Sequence, residues 1–246
     1  MGTSQEEWFS EWFDTPYYHQ LYKHRDDSEA REFITTLLFK MELFAGESIL
    51  DVACGKGRHS RVFNEKGMRV TGFDLSPKSI EQAKIYENSN LAFHIHDMRK
   101  SYSKWGEFDA AVNLFTSFGY FDSRDEDVQS LKNIAKVLKD EGLFVQDYLN
   151  ASSVIDSLPN NGKQSIDGVS YLWKKQYQNG FITKDIDVKE GKDKYHFQEK
   201  VKVYSKDELC EIHESSGLTV KEVFGNYKLD LFQDDSPRII IVSQKK

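Results

Sequence analysis

Residues 48–74, SILDVACGKGRHSRVFNEKGMRVTGFD, carry the pattern from which the fold can be read. The apolar run Ile49-Leu50, closing on Asp51 and Val52, has the length of a short buried strand. A turn follows, Ala53-Cys54-Gly55-Lys56-Gly57, and then a helical stretch to about Glu65. A second apolar strand, Arg69 to Phe73, ends on Asp74. Strand, glycine turn, helix and a strand ending in an acid make half of a nucleotide-binding α/β fold. Glycines at 55 and 57 let a ligand approach the backbone with no Cβ in the way. The helix behind them aims its positive N-terminal end at the same place. Asp74 comes nineteen residues after Gly55, a spacing that brings a carboxylate to ribose hydroxyls.

The loop is poorly suited to a dinucleotide. Ser60 stands where the third glycine of G-x-G-x-x-G would be, and Asp51 sits four residues before the first. A carboxylate there suits an ammonium better than a pyrophosphate, because like charges repel. The ligand implied is a nucleoside carrying an amino acid, and a dinucleotide oxidoreductase is disfavoured by the same two residues. On the run LDVACGKGRHS, the acid Asp74 and the later HDMR (96–99), the chain resembles the class I S-adenosylmethionine-dependent methyltransferases. The match covers about residues 28 to 150, and the end of the chain more loosely.

That resemblance implies S-adenosyl-L-methionine as cofactor and S-adenosyl-L-homocysteine as product. It also implies an α/β fold: a Rossmann-like, doubly wound, mostly parallel sheet with an antiparallel last strand. By motif position it implies cofactor contacts from Asp51, Ala53, Gly55, Gly57, Arg58, Asp74 and Leu75. Asp97 and Met98 fall where the family meets adenine; Asn113, Leu114 and Phe115 fall beside the sulfonium. In the family an N-terminal segment often closes over the methionine end, which makes Tyr18, Tyr22 and Arg25 candidates.

Outward from this core, residues 1–27 hold Trp8, Phe9, Trp12, Phe13, Tyr17, Tyr18 and Tyr22, more rings than a segment leaves in water. The segment reads as an aromatic flap, or as plain packing onto the domain. Residues 28–150 and 205–246 form the Rossmann-like domain, opening with a helix from Ser28 to Phe44. His94 and His96 share one face of the strand Ala92 to His96, but no further Cys or His in nearby sequence completes a metal set. Phe118, Tyr120 and Phe121, in NLFTSFGYF (113–121), suit an acceptor pocket. Ser123 with Glu126 reads as a capping box, as does Ser205 with Glu208. Residues 151–165 read as a loop. Three runs of period-two alternation follow, the first with Val169, Tyr171, Trp173, Lys175 and Tyr177 on one face. Asn179-Gly180 is a hairpin turn between the first two. The insert over 151–204 is thus a three-stranded antiparallel sheet, a substrate lid by the family resemblance or, through its exposed edges, a contact in a homodimer. His213 reads as a solvated residue on the polar side of the last helix.

A formal net charge of −7 and a pI of about 5.6 leave no basic footprint for nucleic acid or for an anionic membrane. Two cysteines, Cys54 and Cys210, fit a reduced compartment, and the acidic, aromatic beginning is unlike a signal peptide. No apolar run nears the roughly 20 residues needed to span a bilayer. The expectation is a cytoplasmic enzyme that methylates a small-molecule acceptor on O or N. Tyr120, Asp147, Tyr148 and His196 are the candidates for a catalytic base. Methylation of a protein or RNA, or a cofactor-binding partner subunit without turnover, are the alternatives.

Overall fold

The computed structural model describes residues 8–23 and 27–246, so Arg25 lies outside the described residues. Two short helices, α1 (Trp8–Trp12) and α2 (Pro16–Leu21), precede α3 (Asp27–Lys40). Alternation then begins: β1 (Ser48–Val52), α4 (Arg58–Glu65), β2 (Arg69–Asp74), α5 (Pro77–Lys84), β3 (Leu91–Ile95) and β4 (Phe108–Asn113). After α6 (Arg124–Val137) come β5 (Leu138–Leu149) and α7 (Ala151–Ile155). Four strands form the insert: β6 (Asn160–Ile166), β7 (Val169–Gln178), β8 (Phe181–Glu190) and β9 (Asp193–Lys202). The chain closes with α8 (Lys206–Ser215), β10 (Leu218–Phe224) and β11 (Arg238–Lys245).

The main sheet has seven strands in the order β10-β11-β5-β4-β1-β2-β3. Strands β5, β4, β1, β2 and β3 pair in parallel, while β11 runs antiparallel to both its neighbours. Successive strand residues point to opposite faces, and helices cover both. Ile49 and Val70 pack with Phe33, Ile34 and Leu37 of α3 and with Phe63 of α4. Leu50 and Val52 pack instead with Leu131 and Ile134 of α6 and Leu209 and Ile212 of α8. Double burial explains why β1 is buried without a break from Ile49 to Val52 instead of alternating. Parallel strands bring the ends of β1, β2, β3 and β4 to one edge, where such folds bind ligands.

Four local expectations change. The insert has a fourth strand, β6, in residues read as a loop. It is an edge strand with no fully buried position, so it needs no apolar alternation and gives none. Pairing fixes it instead, with Gly162 opposite Trp173, where a Cβ would collide with the indole. Helix α3 stops at Lys40, because Glu42 turns left-handed at φ 53°, and Phe44 stands exposed. Ser123 caps α6 through the Asp125 N–H, whereas Glu126 leaves the cap to pair with Arg99 at 2.9 Å. The box at Ser205 and Glu208 is complete.

His213 is the fourth change. It is fully buried, sharing hydrogen bonds with Ser243 Oγ (2.7 Å) and Gln146 Oε1 (2.9 Å) and stacking on Phe144. Burial pulls its pKa down to about 3, so it stays neutral. A helix face that looks polar in sequence thus packs onto polar groups of the sheet.

Candidate functional site

A cavity of about 850 Å³ opens at the carboxyl edge of the parallel strands. Its floor is made by the loops after β1, β2, β3 and β4; α1 and α2 cover it from one side and the inner face of β7–β9 from another.

The glycine loop supplies the first wall. Gly55 adopts φ 56°, and a Cβ there would meet nothing within 4 Å, so its bare backbone faces open cavity. Gly57 has another task. It lies off the wall, at the N-cap of α4 with φ 74°, and a Cβ on it would drive into the Phe93 ring; its smallness seats the helix on β3. Asp74 reaches across to the loop, accepting from the Gly55 N–H at 2.8 Å and from the Ser76 N–H at 2.9 Å. Burial raises its pKa against those two backbone donors. Ala53, Arg58 and Leu75 line the same wall.

Asp51 does not reach the wall. It is 1% exposed beneath the loop, where its Oδ2 accepts from Ser60 Oγ at 2.5 Å. Burial pushes its pKa up to about 7, with Ser60 opposing and the charge of Asp74 adding to the rise. Ser60, the departure from the dinucleotide pattern, is therefore the partner that satisfies this acid.

Asp97 and Met98 do line the cavity. Burial works to raise the Asp97 pKa, but hydrogen bonds from Arg99 outweigh it and hold the carboxyl below its usual value. Arg99 Nη2 stands 2.8 Å from Asp97 Oδ2. His94 and His96 pack against Trp105, and no metal-binding group of three side chains occurs among the described residues.

The loop after β4 is strained. Phe115 and Thr116 are consecutive non-glycine residues at φ 63° and 59°, a conformation that persists only when its surroundings hold it. Asp147 holds it. Its Oδ2 accepts from the Phe115 N–H at 2.9 Å, and its carbonyl accepts from the Thr116 N–H at 3.0 Å. Arg238 Nε donates to its Oδ1 at 2.7 Å and Tyr227 OH to its Oδ2 at 3.1 Å, while Arg238 Nη2 donates to Thr116 Oγ1. Asn113, buried behind the same loop, donates to the carbonyls of Val52 and Ser117. Leu114, Phe115, Thr116 and Arg238 face the cavity; Asn113 and Asp147 stand behind it.

Of the four candidate bases, only Tyr120 reaches the wall. Its hydroxyl donates to the Thr116 carbonyl at 2.5 Å, and its ring packs on Trp8 and Phe13. Asp147 is fully engaged in bracing. Tyr148 is buried and donates to the Lys202 carbonyl, tying the main sheet to the end of β9. His196 lies outside the cavity on an exposed face, 2.9 Å from Asp187. Phe121 lines the cavity, while Phe118 is a core residue.

Tyr18 and Tyr22 line the cavity from α2 and its C-cap. This N-terminal strap is anchored at both ends. Asp14 Oδ1 accepts from Ser76 Oγ (2.7 Å) and the Lys78 N–H (2.9 Å), beside the Asp74 loop. At the other end, Tyr22 OH and Trp12 Nε1 both donate to Glu199 of β9. Sequence reasoning missed Glu199, Lys184, Arg238 and His19 on the wall. One signal was visible: Lys175 is a charged residue on the otherwise apolar face of β7, and Lys184 and Glu199 interrupt apolar faces in the same way.

An α/β edge with a bare glycine backbone beside a fixed carboxylate, and no third glycine to read phosphate, has the geometry of a nucleoside site more than of a dinucleotide site. Residues 49–142 match the family described as a methyltransferase domain. The chain is 33% identical over 129 residues to YqeM of Bacillus subtilis, covering 51% of this chain and 52% of that one. It therefore spans about half the length of that curated relative. Its fold is similar to that of an S-adenosylmethionine-dependent methyltransferase from Clostridium acetobutylicum (TM-score 0.78, 18% identity, 93% of this chain and 96% of that one). It is also similar to the sugar N-methyltransferase KedS8 from Streptoalloteichus sp. (TM-score 0.74, 20% identity, 93% and 92%). Residues 49–142 thus match a methyltransferase domain, and they lie within a fold shared with S-adenosylmethionine-dependent methyltransferases.

Proposed function

We propose that the protein transfers a methyl group from S-adenosylmethionine to O or N of a small molecule. The observation that carries this reading is one continuous cavity, running from Asp74 and Asp97 past Phe115 and Thr116 to Ile182, Lys184, Glu199 and Val201 of the second sheet. At about 850 Å³ it lies in the upper part of the range of roughly 300–1,000 Å³ typical of small-molecule sites. Helices α1 and α2 across the cavity argue against a protein or RNA acceptor, which would need an open groove.

In this reading the Gly55 backbone and Asp74 hold the ribose side, and Asp97 and Met98 hold the adenine edge. Tyr18 and Tyr22 cover the other end. The cofactor supplies a sulfonium-bound methyl group that is already strongly electrophilic. The chain's own contribution is alignment, which is worth about 7–11 kcal/mol at best. The braced loop at Phe115 and Thr116 fixes one side of the acceptor, and Trp8, Phe9 and Phe13 keep water out. Tyr120 is the cavity residue placed to orient the attacking atom. The insert serves as the acceptor lid, and the free thiols Cys54 and Cys210 agree with action in the cytoplasm.

Calorimetric titration tests this. S-adenosylhomocysteine should bind in the micromolar range and NAD should not. Asp74→Ala should weaken binding about a hundredfold, the loss expected for hydrogen bonds to a buried charged group. Equal binding of NAD, or none of either ligand, would overturn the reading.

A further inference from the structure

We propose that the acceptor carries an anionic group, a carboxylate or a phosphate, which docks against Lys175 and Lys184 on the inner face of the second sheet. The proposal rests on the reading of the cavity as a methyl-transfer site and names the chemistry of what that site takes.

The key observation is a row of three charged residues directly opposite one another across adjacent strands. Lys175 of β7 pairs with Lys184 of β8, and Lys184 pairs with Glu199 of β9. All three side chains line the cavity. Two like charges placed directly opposite on one face of a sheet destabilise it. Here the pair faces inward, where water screens it least. Lys184 is only 7% exposed.

Anchoring of the strap explains only part of the row. Lys184 Nζ donates to Tyr22 OH at 2.7 Å and lies over the Tyr22 and Trp173 rings. Tyr22 OH in turn donates to Glu199, so one lysine is balanced by one carboxylate through a shared hydroxyl. Lys175 has no part in this arrangement, and its ammonium makes no hydrogen bond or ion pair among the described residues. The strap would be held equally well with a neutral residue at 175. A second lysine beside a buried one, on a face otherwise built from Val169, Tyr171 and Trp173, is accounted for by a ligand that brings negative charge between them. The wider charge distribution agrees. The chain has a formal net charge of −7, yet basic side chains outnumber acidic ones along the cavity wall.

The test uses the full chain saturated with S-adenosylhomocysteine and titrated with inorganic phosphate or sodium acetate. Tryptophan fluorescence is the readout, with sodium chloride at matched ionic strength as reference. Saturable binding of phosphate alone identifies a phosphoryl-bearing acceptor; saturation by acetate alone identifies a carboxylate. In Lys175→Met the anion should bind about tenfold more weakly, the loss of one charge-assisted hydrogen bond, with S-adenosylhomocysteine affinity unchanged. Lys175→Arg should restore anion binding. If the cofactor product binds but neither anion saturates, or if Lys175→Met binds anions as well as the parent, the anionic acceptor is overturned and the methyl-transfer reading stands. If the cofactor product itself fails to bind, both fall.

Discussion

The two ends of the cavity are built in different ways. The end we assign to adenosine draws on residues close together in the chain: Gly55 and Asp74 are nineteen apart and joined by a hydrogen bond of 2.8 Å. The acceptor end joins residues that are far apart. Trp12 and Glu199 meet across 187 positions, Tyr22 and Lys184 across 162, Arg238 and Thr116 across 122. One end is a local supersecondary motif whose geometry follows from turn and strand chemistry. The other is a tertiary assembly of strained loop, last strand and second sheet, and the strap is anchored to both ends. A shared cofactor asks for a constant first end, whereas the second end can vary with the acceptor.

The largest effect that would break this comparison is expected at Asp147, which braces the loop at Phe115 and Thr116 between the two ends. Asp147→Asn removes the charged partner of Arg238, a pair with side-chain exposures of 0% and 19%. Uncoupling a buried ion pair costs about 3–5 kcal/mol, readable by chemical denaturation. Methyl transfer should fall with the loss of the loop at Phe115 and Thr116, while S-adenosylhomocysteine affinity stays within a few-fold. A parallel loss of cofactor affinity would show that the two ends are not separable.

Acid should act on the main sheet that carries both ends, because His213 is buried against β5 and β11. Its native pKa of about 3 is below the ordinary 6.5, so the unfolded chain binds the proton more readily. Stability from this group is therefore complete above pH 6.5 and declines as pH falls toward 3, at up to about 1.4 kcal/mol per pH unit. Urea denaturation across that window should show the slope, and His213→Gln should flatten it. An unchanged slope in the variant would remove His213 as its source.

The smallest effect is expected at His196. His196→Ala should leave both methyl transfer and cofactor affinity unchanged, since the side chain pairs with Asp187 on an exposed face. A kinetic loss of tenfold or more would mean that the insert reaches the acceptor through a face other than the one lining the cavity.

The same division explains what could be read without a structure. The order of strands and helices through β4, the glycine loop and the acid at 74 follow from periodicity and spacing, whereas Asp97 comes only from the family resemblance. Strand β6 was hidden because an exposed edge strand requires no apolar pattern. His213 was misread because its partners, Gln146 and Ser243, come from strands 67 and 30 residues away. Asp147 was identified as important but assigned the wrong work: nothing in its neighbourhood reveals that Arg238 and Tyr227 will close on it. Lys175, Lys184 and Glu199 were visible only as charges interrupting apolar faces, a sign of an inward ligand that acquires meaning once three strands are paired.

Hydrogen exchange measured by mass spectrometry, with and without S-adenosylhomocysteine, tests the central claim most directly. Protection is expected in residues 53–58, 74–76 and 97–98 and in the strap that spans them, α1 and α2, with little change in β7 and β8. Protection confined to β7–β9, with the glycine loop unaffected, would contradict the placement of the cofactor and the division of the cavity that follows from it.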